Sequence, residues 1–316
     1  MTLLLRFAAL VAPVALVALG HGEPLRIVHS SQQTWAELRV RVTTDTLIAR
    51  GHDVVLSSPW KDQCDTGICF GYKQRFRTCQ YRSCILSDDV WGRNLSQPHL
   101  HWVKGSTKKA LRLGIDKFGP ELWQHKSPDL AVIGPGFGTV FTNQDMPLSL
   151  AIGAASFAVK NARVPAIVVT VNEKGHLPWF TTPVPLSVQI YAELVAKLVD
   201  TLAESGKPLV PDRLLLSVNI PPVDASCDDV SKFPWILTRV GKRLMGDDIA
   251  WCGTKLLPTE WQVMQESTLC AVSVSFAYAR TLRTPNDHRL QRDIRNKLRP
   301  ILSCIDVKNH TLISTT

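Results

Sequence analysis

The feature that most constrains this chain is an alternation of short apolar runs with segments of helical period. Leu25 to His29 reads as a strand, and Trp35 to Arg50 places Trp35, Leu38, Val42 and Ala49 at helical spacing. Gly51 is positioned to end that helix before a second strand, Asp53 to Ser57. The pattern returns as strand Asp129 to Gly134, a loop through Pro147 and a helix of small residues from Leu148 to Asn161. Strand Ala166 to Thr170, helix Leu186 to Glu204 and strand Leu214 to Ile220 follow. Strands that recur between helices predict an α/β fold with a mostly parallel sheet and helices on both faces. Ligands of such sheets sit beyond the carboxyl ends of the strands. The loops after Val28, Ser57, Gly134 and Thr170 are therefore the expected site.

The first 22 residues have one early cation, Arg6, an apolar run from Phe7 to Leu19 and small residues at Ala18, Gly20 and Gly22. This is the pattern of a secretory signal peptide, and the run is short for a membrane anchor. Residues 23–316 then form the expected mature domain in the secretory pathway, with no stable membrane insertion. An exported chain with eight cysteines, at 64, 69, 79, 84, 227, 252, 270 and 304, is read as disulfide-bonded. The short spacings favour Cys79 with Cys84 and, less firmly, Cys64 with Cys69, while the last four tie the C-terminal region together. Zinc spacings are absent. Sequons at Asn94 and Asn309 fit the same compartment. The formal charge is +9, or +8 without Arg6, which favours anionic partners only generically, and nucleic acid is not expected outside the cell.

Residues 58–128 read as a loop-rich, hairpin-like insertion carrying Lys73, Arg75, Arg77 and Arg82 among Tyr72, Phe76 and Tyr81. It is either a disulfide-stapled surface loop, the favoured reading, or a cationic lid. Periodicity weakens over the C-terminal extension, 223–316, except for a strand-like run Leu269 to Tyr278 and a basic helix from about His288 to Leu302 whose Arg289, Arg292, Arg295 and Arg299 suit a solvated face.

Several segments, in order, resemble the SurE-like phosphatase/nucleotidase family in its secreted fungal branch. Leu25 to Ala36 is similar to the family's strand followed by Ser-Asn-Asp-Asp-Gly, Gly51 to Ser57 with Pro59 to its second strand, and Asp62 to Gly67 to its Asn-Gln-Ser-Gly-Thr-Gly loop. Pro128 to Thr139 resembles its Pro-Asp-hydrophobic-Ser-Gly-Pro-Asn-x-Gly loop, Ile152 to Ala155 with Val164 to Ile167 its next helix and strand, and Leu216 to Pro221 its later strand. The Cys79 and Cys84 pair also has a counterpart there. The resemblance implies a SurE-like Rossmann-type sheet with a disulfide-containing insertion.

The same resemblance implies a divalent metal on two aspartates, a serine and an asparagine, and these positions read Gln32, Gln33, Cys64 and Gly136. Two amides, a sulfur and a glycine do not offset the dehydration of a hard cation. The Ser-Gly-Thr phosphate cradle reads Ser149-Leu150-Ala151. No metal and no cofactor is therefore expected. A base without metal needs another constellation, and His29 with Asp145 is the candidate; the alternative, which we favour, is a strand-buried His29 and a loop-capping Asp145. Gly134 to Gly138 is a poor dinucleotide loop, because Pro135 lacks an amide donor and a further loop delays the helix.

The expected ligand is a small organic molecule, uncharged or weakly acidic, bound by Gln32, Gln33, Trp35, Gly136, Phe137, Phe141, Asn143 and Ser149. Three functions stay open. The first is a repurposed pocket, acting as a metal-free tailoring catalyst such as an isomerase or cyclase, or as a binding protein, in fungal secondary metabolism. The others are a SurE-like acid phosphatase or 5'-nucleotidase with a rearranged site, and a non-catalytic structural or interaction protein. The sequence leaves oligomerisation open.

Overall fold

The computed structural model describes residues 23–62, 78–85, 88–138, 149–173, 175–243, 246–266, 269–306 and 311–313. The strands are β1 (Arg26–Ser30), β2 (Asp53–Pro59), β3 (Trp91–Arg93), β4 (Leu100–Val103), β5 (Leu130–Phe137), β6 (Ala166–Val171), β7 (Leu214–Ile220), β8 (Trp235–Leu237), β9 (Val272–Tyr278), β10 (Leu302–Asp306) and β11 (Thr311–Ile313). They form one sheet in the order β11-β10-β8-β9-β7-β6-β5-β1-β2-β4-β3. The pairings are parallel except β3 with β4, β7 with β9 and β10 with β11. The α-helices are α1 (Leu38–Ala49), α2 (Thr107–Leu113), α3 (Gly119–Leu122), α4 (Leu150–Phe157), α5 (Leu186–Glu204), α6 (Glu260–Glu266) and α7 (His288–Leu298).

Two apolar layers sandwich the sheet because side chains alternate faces along each strand. Ile27, Val54, Val132, Ile167, Val169 and Leu216 face Leu47 of α1, Leu194 and Leu198 of α5 and Ile294 of α7. On the other side Val28, Ala131, Ile133, Val168 and Leu215 meet Ala110 and Leu111 of α2 and Ala151, Ile152 and Ala155 of α4. The strands are buried on both faces, so they read as unbroken apolar runs.

The boundaries depart from the sequence reading for local reasons. The first helix begins at Leu38, not Trp35, because the Glu37 side chain caps it by accepting from Arg39 N, while Trp35 N donates to Pro59 O (2.9 Å) in the turn before. β5 continues through Gly134-Pro135-Gly136 to Phe137, with a register shift between Ile133 and Gly136, so residues read as loop are strand. The small-residue helix starts after its cap Ser149 and ends in a π turn over Ala158–Ala162. The insertion does hold a hairpin, β3 with β4, but β4 is part of the main sheet, pairing parallel to β2, and α2 and α3 follow it. The C-terminal extension adds four more strands to that sheet, including the expected run at Val272–Tyr278.

Disulfides join Cys79 with Cys84, Cys227 with Cys270 and Cys252 with Cys304. The first is the expected pair, and the other two tie the C-terminal region to itself. Cys64 and Cys69 lie outside the described residues, as do residues 1–22, where a leader is expected, and Asn309. Asn94 sits in the turn between β3 and β4, where its Oδ1 accepts from Ser96 N (2.9 Å) and Gln97 N (3.3 Å). Among the described residues no helix is long and apolar enough to cross a membrane.

Candidate functional site

The carboxyl ends of four adjacent strands, β6, β5, β1 and β2, bring together the loops singled out from sequence. Past β1 the chain is held to the end of β2: Ser31 N donates to Ser58 Oγ (2.8 Å), and Thr34 N to Asp62 Oδ1 (2.7 Å). Gln32 and Gln33 fall inside this turn, each 4% exposed. Gln32 Nε2 donates to Phe137 O (3.1 Å), and Gln33 Oε1 accepts from Ser31 Oγ (2.9 Å), whose oxygen also accepts from Gln33 N (3.2 Å). Gly136 lies against both amides, since a Cβ there would stand 3.1 Å from Gln33 Oε1 and 3.5 Å from Gln32 Cδ. The Ser30 hydroxyl beside them is buried without a partner among the described residues.

These atoms are a poor match for the divalent cation that the resemblance implies. Neutral amides already bonded within the protein replace anionic oxygen, Gly136 has no side-chain donor, and Cys64 lies outside the described residues. Among the described residues no group of three or more His, Cys, Asp or Glu is disposed to hold a metal.

His29 is fully buried. Its Nε2 is bonded to the Gly134 carbonyl, which only accepts, so the neutral ring carries its hydrogen there; Nδ1 lies 2.8 Å from Thr44 Oγ1. Burial holds the imidazole down to about 4, the Gly134 bond opposing this in part. Both nitrogens join β1 to its neighbours and neither is left for a substrate. Asp145, Phe141 and Asn143 lie outside the described residues. Trp35 is a core residue, packed with Val40, Leu56 and Trp102 under the Arg41 guanidinium at 4.5 Å. Ser149 caps α4 through Ile152 N (3.3 Å). Of the expected ligand-facing residues, the structure thus groups Gln32, Gln33, Gly136 and Phe137.

Sequence reasoning missed a buried ion pair next to them. Glu37 and Arg39 are 1% and 2% exposed and meet at 2.6 Å. Glu37 also accepts from Arg39 N (2.7 Å) and Leu177 N (3.2 Å). Arg39 reaches Gly175 O (3.1 Å) and the Glu173 carboxylate (3.0 Å), and its guanidinium lies 4.9 Å from the centre of the Phe137 ring. Burial raises the Glu37 carboxyl, with Arg39 pulling it back. The pair sits two residues apart at a helix start, a spacing with no helical-face signature. His176 was also missed: its Nδ1 lies 2.9 Å from Asp62 Oδ2, and its ring meets the Phe137 ring edge-on at 5.0 Å.

A second polar group lies under β6, β7 and β9. Thr170 Oγ1 donates to Asn219 Oδ1 (2.7 Å), Asn219 Nδ2 to Glu260 Oε1 (3.3 Å), and Ser275 Oγ to the same carboxyl. Burial pushes Glu260 up to about 8 against the opposing bonds from Ser275, Ser217 and Asn219. The folded protein therefore holds a proton that the unfolded chain releases near 4.5. Its contribution is complete below that value and is lost as pH rises to about 8. Glu260→Gln is expected to remove a slope of up to about 1.4 kcal/mol per pH unit within that window, read from urea unfolding at a series of pH values. An unchanged slope in the variant would show that other groups carry it.

The fold and this edge define a doubly covered α/β protein, and comparison with known proteins assigns its class. The family model for Survival protein SurE matches residues 34–247, more than half of the chain, so the chain belongs to the SurE family. The match begins just past Gln33. The chain is 27% identical over 202 residues to an acid phosphatase of Yarrowia lipolytica, covering 62% of this chain and 56% of that one; it thus spans about half the length of that relative. Its fold resembles the crystal structure of the SurE protein from Aquifex aeolicus, with a TM-score of 0.53, 15% identity, and coverage of 85% of this chain and 98% of that one.

Proposed function

We propose that this SurE-family chain is a secreted protein that works without the metal-dependent phosphatase chemistry and uses the same strand ends to hold an uncharged or weakly acidic organic molecule. It acts there as a metal-free tailoring catalyst or as a binding protein. The observation that carries this reading is the Gln32 and Gln33 pair. Both side chains are neutral, buried and bonded to Phe137 O and Ser31 Oγ, so they present amide dipoles where a cation or a phosphoryl group needs charge. The disulfides are consistent with export.

A second reading, a working acid phosphatase, is favoured by the Yarrowia relative. Elemental analysis and p-nitrophenyl phosphate turnover with and without Mg or Mn separate the two. The expected result is no stoichiometric Mg, Mn or Ca and no metal-stimulated turnover. Gln32→Asp with Gln33→Asp should gain less than about tenfold in turnover, because Gly136 and the cradle at Ser149 are unchanged. Stoichiometric metal that disappears in Gln32→Ala would establish the phosphatase reading instead.

A further inference from the structure

The loop after β6 is held to the start of α1 on both sides of His176. Arg39 Nη1 donates to Gly175 O (3.1 Å), Leu177 N donates to Glu37 Oε1 (3.2 Å), Leu38 N to Leu177 O (2.8 Å) and Trp179 N to Ala36 O (3.0 Å). A buried ion pair and two main-chain bonds thus fix the backbone that carries one histidine. The side chain of that histidine is 52% exposed.

Its carboxylate partner is held as firmly. Asp62 accepts from Thr34 N (2.7 Å) and from Gln80 Nε2, while its own N–H donates to Gln80 Oε1 (2.8 Å). Gln80 lies inside the loop closed by the Cys79–Cys84 disulfide and is anchored by its N–H to Trp60 O (3.0 Å). The carboxylate can only accept, so the His176 hydrogen sits on Nδ1 and the lone pair of the neutral ring is on Nε2. A fixed carboxylate and an oriented imidazole on a half-exposed side chain make the arrangement of a general base and its orienting group. The ring stands against Phe137, whose carbonyl takes Gln32.

We propose that His176, positioned by Asp62, is the general acid–base of this site. His176 Nε2 takes a proton from a C–H or O–H of an organic substrate seated against Phe137 and Gln32. The bond pair left by that proton becomes a new double bond to the neighbouring substrate atom, the π pair of the substrate's existing double bond moves to its far atom, and the imidazolium returns the proton to that far atom. The net change is an isomerisation, with no oxidant, reductant or metal. This rests on the metal-free reading above.

The test is Kemp elimination of 5-nitrobenzisoxazole by the secreted full chain in EDTA. In that reaction a base takes the C3 proton, the C–H electrons complete a nitrile, and the N–O bond breaks to release the phenolate. His176→Ala and His176→Gln should each lose at least about tenfold of the protein-dependent rate, while exposed His288→Ala keeps it. Melting temperature and circular dichroism serve as the folding check, with His176→Gln as the milder variant. Asp62→Asn should lower kcat more than it changes KM, Asp62→Glu should restore part of the loss, and 15N imidazole spectra should show the His176 hydrogen leaving Nδ1 in Asp62→Asn. The proposal is overturned by a folded His176→Ala with an unchanged rate, by a wild type with no protein-dependent rate, or by a wild-type hydrogen on Nε2. Metal-dependent phosphatase turnover would sink the metal-free reading and leave the His176 dependence of the Kemp rate to stand or fall by itself.

Discussion

Arg39→Met should lower the unfolding free energy by about 3–5 kcal/mol, measured by urea denaturation of the oxidised protein. The size follows from what stays behind. Glu37, 1% exposed, would keep a carboxylate in the interior with only main-chain donors, and an uncompensated buried charge is costly. Glu173 adds less, because it is 29% exposed and water screens it. The double variant Arg39→Met with Glu37→Gln should be more stable than Arg39→Met alone, since the stranded charge is then gone. A single-variant loss below about 1 kcal/mol, or a double variant no better than the single, would mean that Glu37 protonates without cost or that water reaches it.

Gly134→Ala is the second large effect, at more than about 3 kcal/mol, with loss of secreted yield as a secondary readout. Gly134 has φ +121°, a backbone conformation that L side chains rarely adopt, and an added Cβ would stand 2.1 Å from Val169 O. That oxygen belongs to β6, which is paired on one side with β5 and on the other with β7 and so cannot retreat. The Gly134 carbonyl also receives His29 Nε2, so any shift of β5 disturbs a buried imidazole. Gly153→Ala is the matched control: Gly153 is on α4, nothing lies within 4 Å of the added carbon, and alanine should stabilise by up to about 1 kcal/mol. Equal effects from the two glycines would remove the steric argument.

Short-range information in this chain is legible in its residues, and long-range information is not. Strands β1, β2, β6 and β7 were legible within a residue or two, because burial on both faces leaves a continuous apolar run. β8, β10 and β11 were not: each is three to five residues long, and β8 begins after Pro234 within an otherwise irregular stretch. The sheet adds them by pairing with residues far along the chain, a choice that local period does not encode.

The sequence by itself determined the α/β alternation, the SurE-like order of segments and the amide pair Gln32 and Gln33 at the end of the first strand, and its short spacing favoured the Cys79–Cys84 bond that the structure contains. These follow from residue type at short separation. Only the tertiary structure decided which polar groups share a neighbourhood. Asp62 and His176 are 114 residues apart and meet at 2.9 Å because β2 and β6 end at the same edge of the sheet. Arg39 and Glu173, and Asn219 and Glu260, are brought together in the same way. His29 shows the converse, since a polar residue at the end of an apolar strand reads as chemistry until packing fills both of its nitrogens. Strand order and burial select among polar residues that sequence alone leaves equivalent, because their energies depend on the partner each finds across the fold.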